Sequence, residues 1–316
     1  MQTDGTRSGT GGSFSPTARA DSGIRLPESR SLGVNQENTI SGLPAAKFFA
    51  NLRAMALPES KLTNAVHWSL TAVAGVAIAV ALTVPGWSTR LDGLILILAA
   101  VTSVTALTRQ LPVESVAFAA FVAALIGGAA HGLSARTGIP FGPVTFGETA
   151  GPKLFNTVPW TLPLFWVVAV FNSRGVARLG LRPWRKVKNY GLWLIGCTAL
   201  LTGLWDLALE PFASHVKHLW FWQATKIPVA WHGASPVVPL GWFFVSLVIL
   251  GFVMPYLIKK QPGKTRTPDF APLVLWLGVL AYFGIASAQT GLWSAVVLDG
   301  VLAAVVTAFA VRGARW

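Results

Sequence analysis

The sequence predicts an all-α, polytopic integral membrane protein: a helical bundle of about eight transmembrane helices with both termini cytoplasmic. Three observations predict it. The 316 residues are 53% hydrophobic and only 12% charged, against the roughly 25% charge that clothes a soluble domain. The charge is also segregated: residues 1–45 are rich in Gly, Ser, Thr, Pro and charge, whereas 65–311 reads as apolar blocks. Finally, fourteen Trp suit a chain whose indole rings sit at two membrane–water interfaces. Two regions follow. Residues 1–60 form a polar, disordered cytoplasmic tail, without the apolar stretch of a secretory signal in its first forty residues. Residues 61–316 form the transmembrane domain.

A spanning helix needs about 20 mostly apolar residues, within roughly 17–25. Eight segments meet this: 66–85, 91–108, 113–135, 157–173, 190–209, 237–258, 271–288 and 291–311. The second and fourth are the shortest, so their ends are the least defined. The third opens near Glu114, expected to be solvated, and closes on Gly127, Gly128 and His131. The fifth carries Cys197, Thr198, Thr202, Asp206 and Glu210, and the eighth encloses Asp299. With a single cysteine, no intrachain disulfide is possible.

Orientation follows from the cations. The stretch after the fourth segment holds Arg174, Arg178, Arg182, Arg185, Lys186 and Lys188 without an acid. The sixth is followed by Lys259, Lys260, Lys264 and Arg266, and the eighth by Arg312 and Arg315. An even number of helices separates each pair of these sites, so all three lie in the cytoplasm under the positive-inside rule. The net charge of +13 is thereby explained without nucleic acid. The same arrangement places loops 136–156 and 211–236 together on the opposite, non-cytoplasmic side. Both are dense in Gly, Pro, aromatics and isolated polar residues. Irregular backbone at membrane depth is tolerated where protein buries it or where it lines a cavity, so a shared cavity at that face is expected. The bland alternative is two ordinary connecting loops.

Ionisable groups inside spans cost about 2.5–3.5 kcal/mol each to insert and are functional hypotheses by default. Asp206 and Glu210 are four apart and share one helix face, with Thr198 and Thr202 continuing the stripe. The stripe should face the bundle interior. The negative end of the helix macrodipole, burial and mutual repulsion all disfavour full ionisation of the pair. A general acid working near neutrality needs that condition. A wet helix end beside Pro211 is the structural alternative. His131 is the third candidate catalytic residue. Asp299 is a possible buried charge with no evident cationic partner in the neighbouring segments. His215, His218 and His232 fall in the second loop, the first two reading as interfacial. Trp160, Trp166, Trp220, Phe221, Trp222, Trp231 and Trp242 surround the same face, either as an interfacial belt or as a pocket wall whose π-faces stabilise a cation. Walker, dinucleotide-binding, nucleophile-elbow and HExxH motifs are absent from the sequence. No metal site or cofactor is expected.

The run TGIPFGPVTFGETAGPKL at 137–154, followed by VPWTLPLFW at 158–166, resembles the signature of the membrane-bound carotenoid hydratases. WDLALEP at 205–211 is similar to that family's Asp-x-x-x-acid-Pro motif, and an aromatic patch (Trp220, Trp222) and a Gly-Trp pair (Gly241, Trp242) follow in family order. The resemblance covers roughly residues 95–255. Three positions depart from it. His131 stands where an acid is usual, Val144 and Phe146 replace two loop tyrosines, and Pro239-Leu240 precedes the Gly-Trp pair. The resemblance implies cofactor-independent hydration of the C-1,2 double bond of an acyclic carotenoid. Asp206 would be the acid, and Glu210 or His131 the group orienting water. Phe141, Phe146, Trp160, Trp166, Trp220, Trp222, His232 and Trp242 would contact the substrate. The partners implied are a long apolar lipid and the bilayer of a bacterial cytoplasmic membrane. Two alternatives stay open: a non-catalytic transporter or lipid-binding protein, and an enzyme acting on another isoprenoid or a quinone. No repeat of the transporter kind is visible. The oligomeric state is not readable from the sequence.

Overall fold

In the computed structural model the chain is described over residues 59–84, 87–224, 227–258 and 267–316. The polar tail through residue 58, and Lys259, Lys260, Lys264 and Arg266, lie outside the described residues.

Among the described residues, eight long helices are present: α1 (Glu59–Thr83), α2 (Ser88–Thr108), α3 (Val113–Thr137), α4 (Thr161–Gly180), α5 (Tyr190–Pro211), α6 (Val237–Leu257), α7 (Ala271–Gln289) and α8 (Trp293–Ala314). Each coincides with one expected segment. Seven are long and apolar enough to cross a membrane, and the fold is the all-α membrane bundle that the composition predicts. The exception is α4, which packs against α2, α3, α5, α7 and α8 and buries fifteen of its twenty residues. A helix surrounded by protein can carry polar groups where lipid would not allow them. Asn172 accordingly bonds Ser103 Oγ at 2.8 Å, and Ser173 Oγ accepts from Trp276 Nε1 at 3.3 Å.

Three boundaries differ from the expected ones, one being the end of the fourth segment, which runs on from 173 to Gly180 and takes Arg174 and Arg178 into the helix. Glu59–Thr83 begins inside the expected tail, seven residues before the expected span. The fourth segment begins at Thr161 rather than 157, because β3 (Val158–Pro159) is extended and pairs with β2 (Lys153–Leu154). The two unusual loops are joined. β1 (Val144–Phe146) pairs antiparallel with β4 (Trp220–Trp222), setting Val144 opposite Trp222 and Phe146 opposite Trp220. They therefore meet at one end of the bundle, with the amino ends of α2 and α4 and the carboxyl ends of α5 and α7.

The first loop is anchored to α3 by one hydroxyl. Ser134 Oγ donates to the Gly142 carbonyl at 2.7 Å and accepts from the Phe141 N–H at 3.2 Å. Leaving a buried polar group unpaired costs about 1–3 kcal/mol, and Ser134→Ala strands two of them. Its thermal midpoint in detergent should fall clearly. Ser246→Ala removes a buried hydroxyl that has no partner and should change the midpoint little. Equal midpoints for the two variants would refute the anchor.

Candidate functional site

Asp206 and Glu210 face inward one turn apart on α5, both fully buried. Thr198 and Thr202 are buried above them, with hydroxyls bonded back to Leu194 O and Thr198 O. The polar stripe faces the interior, and its threonines are satisfied within their own helix. The carboxylates are treated unequally. Glu210 Oε2 accepts from Trp222 Nε1 at 2.7 Å and Trp220 Nε1 at 3.2 Å. The β1–β4 pairing thus delivers two indole donors to one oxygen. Glu210 Oε1 and both Asp206 oxygens receive no donor from elsewhere among the described residues. The Asp206 and Glu210 carboxyl groups do lie within reach of each other, but that contact is a hydrogen bond only when a proton sits between them.

An aromatic box is joined to this pair through Trp205, the residue before Asp206. Trp166 from α4 and Trp242 from α6 stack at 3.9 Å with 11° between their planes. His131 lies 4.3 Å from Phe141, 5.6 Å from Trp242 and 5.9 Å from Trp166, centroid to centroid. Trp205 joins on the far side, 6.2 Å from Trp242 and 5.4 Å from Phe283. Glycines permit the approach. A Cβ at Gly127 would stand 2.1 Å from the Trp166 ring, and one at Gly241 would stand 2.5 Å from Phe141. The Gly-Trp pair therefore works as a unit: Gly241 admits Phe141 while Trp242 supplies the facing wall.

His131 Nδ1 is 3.2 Å from both the Gly127 carbonyl and Trp166 Nε1. One nitrogen cannot donate to the first and accept from the second in the same tautomer. The Trp166 N–H is a buried donor with this partner alone, whereas the Gly127 carbonyl is already in the helical ladder. We therefore assign Nδ1 as acceptor, with the ring hydrogen on Nε2. No hydrogen bond joins His131 to either carboxylate. The Trp242 indole N–H is buried without a partner among the described residues. Four orphaned polar atoms, on Asp206, Glu210 and Trp242, thus accompany one aromatic enclosure, although native interiors keep such atoms rare.

A cavity of about 270 Å³ adjoins the box, lined in part by Trp160, Phe165, Trp205, Phe212, Tyr282 and Phe283. Drug-sized ligands occupy roughly 300–1,000 Å³, so this space admits the end of a long molecule rather than the whole. Neither carboxylate nor His131 lines it; the link runs from Glu210 through Trp220 to Phe165, whose rings lie 6.2 Å apart. Sequence reasoning missed the polar group in this cavity. Asp92 of α2 pairs with Lys217 Nζ at 2.8 Å and accepts from the Tyr282 hydroxyl at 2.6 Å. Its three members are 65 to 190 positions apart along the chain, so no local motif announces them. Trp205, Phe165 and Phe283 were likewise missed, since single aromatics in apolar segments carry no distinguishing signal.

The remaining expected residues are placed as follows. Phe141 is fully buried in the box, and Phe146 is buried in β1 beside Trp220. Trp160 borders the cavity against Gly93 and Gly151. His232 sits apart: its Nε2 lies 2.9 Å from Ser294 Oγ on α8. Burial, then the neighbouring His215, hold it below the ordinary histidine range. Asp299 is buried without a hydrogen-bond partner among the described residues, against Gly284 of α7, and lines neither the box nor the cavity. Glu114 is exposed, as expected. Among the described residues, no group of three or more His, Cys, Asp or Glu side chains is placed to hold a metal ion.

No curated protein matches the chain, and no solved structure does. A family does match over most of its length, including every residue named above in the box and the cavity. From the model that covers residues 91–306, the chain belongs to the carotenoid biosynthesis protein family.

Proposed function

We propose that this protein is a membrane hydratase of carotenoid biosynthesis, adding water across the C-1,2 double bond of an acyclic carotenoid end group. The observation that carries the reading is the buried Asp206–Glu210 pair, whose unpaired oxygens accompany the Trp166–Trp242 box. Hydration of a trisubstituted alkene needs a proton donor, a dry wall that tolerates a tertiary cation, and a placed water. Asp206, with no protein donor holding its carboxylate, gives its proton to C-2, and the C-1,2 π bond breaks to leave a cation at C-1. Aromatic rings that line the cavity, Trp205 beside Asp206 among them, stabilise that cation, an effect of about 2 kcal/mol or more when desolvated. Water bonds to C-1 and loses a proton to Glu210, so H and OH have been added and no oxidant is consumed. Proton exchange between the two carboxyl groups restores the acid.

The hydrocarbon core is about 30 Å thick, comparable to a C40 chain. With both termini cytoplasmic, the end group then sits near the non-cytoplasmic face, beside the paired loops. Expression in a lycopene-accumulating host tests the activity. Hydroxylated pigment should accumulate, and its absence from cells whose membranes contain the protein would remove the reading.

The Trp222–Glu210 bond supplies a graded test. A hydrogen bond to a charged group contributes about 1.5–3 kcal/mol, so Trp222→Phe should slow product formation about tenfold or more while the protein remains in membranes. An unchanged rate would show that Glu210 does not depend on that indole.

A further inference from the structure

At the opposite end of the bundle is a second and larger cavity, of about 670 Å³, lined by Arg109, Arg174, Arg178, Arg182 and Arg185 together with Tyr190. Asp269 is the sole acid among its lining residues and is paired with Arg109 at 3.2 Å. It lies about 24–30 Å from the carboxylates, since α5 runs from Tyr190 to Asp206 and Glu210 at about 1.5 Å per residue.

Positive-inside topology asks only for cations near the water. Arg174 is not such a cation, being 2% exposed. One of its terminal nitrogens donates to the Leu257 carbonyl at the end of α6, while its Nε has no acceptor among the described residues. A buried guanidinium donor facing an arginine-rich cavity calls for an anion. The cavity is open on one side to Arg178 and Arg185, both exposed. Guanidinium forks match phosphate oxygens in pairs, and basic pockets between membrane helices hold phosphate headgroups.

We propose that this cavity binds a phosphate group, carried by an anionic lipid of the surrounding leaflet, on Arg174, Arg178 and Arg185. The site is separate from the proposed chemistry, so either can fail without the other. Native mass spectrometry of the purified full chain, titrated with phosphatidylglycerol and with diacylglycerol of the same acyl chains, tests it. Phosphatidylglycerol should bind in preference to diacylglycerol, and Arg178→Gln/Arg185→Gln should weaken that binding at least tenfold. These two arginines are exposed, so the variant is expected to fold. Arg136→Gln/Lys153→Gln removes the same charge from the other end and should leave binding unchanged. Millimolar inorganic phosphate that displaces the lipid would uphold the phosphate site but assign it to a free anion. Equal binding of both lipids, or equal loss in the two double variants, would overturn the proposal.

Discussion

Asp206→Asn is expected to abolish hydroxylated carotenoid, with turnover falling about 10²- to 10⁴-fold, the range that a positioned general acid contributes. The amide keeps the shape and fills the same fully buried space on α5, but it has no acidic proton to give to carbon. It can also donate a hydrogen bond to Glu210, so the variant should fold and reach the membrane in wild-type amounts. Glu210→Gln should lose less activity, because a solvent proton acceptor can partly replace it. Pigment profiles normalised to membrane protein separate the cases. Wild-type product from Asp206→Asn would exclude it as the acid and return the site to a structural role.

Gly127→Ala should produce the largest effect on stability. Its Cβ would lie 2.1, 2.3 and 2.5 Å from three atoms of the Trp166 ring. That ring cannot retreat, since Trp242 is stacked behind it at 3.9 Å and its N–H is held by His131. Overpacking of a filled interior costs about 1–3 kcal/mol, and the displacement passes through Trp242 to Trp205, which lines the cavity. Both the thermal midpoint and product formation should drop. Gly278→Ala on α7 is the matched control, as its Cβ would meet nothing within 4 Å. Alanine there gains about 1 kcal/mol of helix propensity and should be neutral or stabilising. A Gly127→Ala protein as stable and active as wild type would show that the box is looser than the stacking implies.

The bundle was legible because bilayer thickness sets a length that apolar runs either meet or miss. All eight expected segments correspond to helices, including α4, which protein rather than lipid surrounds. Periodicity likewise foretold that Asp206 and Glu210 share a face. The loops were harder. Composition marked 136–156 and 211–236 as unusual, but the pairing of Val144–Phe146 with Trp220–Trp222 joins stretches over seventy residues apart, and short strands carry almost no pattern of their own. That pairing delivers Trp222 to Glu210, so the second half of the site could not be read locally. The Asp92–Lys217–Tyr282 cluster was invisible for the same reason. Arg174 was misleading in another way. It reads as one more cation of a basic loop, yet it lies inside α4 and is buried.

The source of the new oxygen tests the central claim most directly. Purified protein in lipid, given an acyclic carotenoid in H₂¹⁸O under air, should form a tertiary alcohol carrying one labelled oxygen, and should form it equally well without O₂. An unlabelled hydroxyl, or a reaction that stops when O₂ is removed, would contradict acid-catalysed hydration.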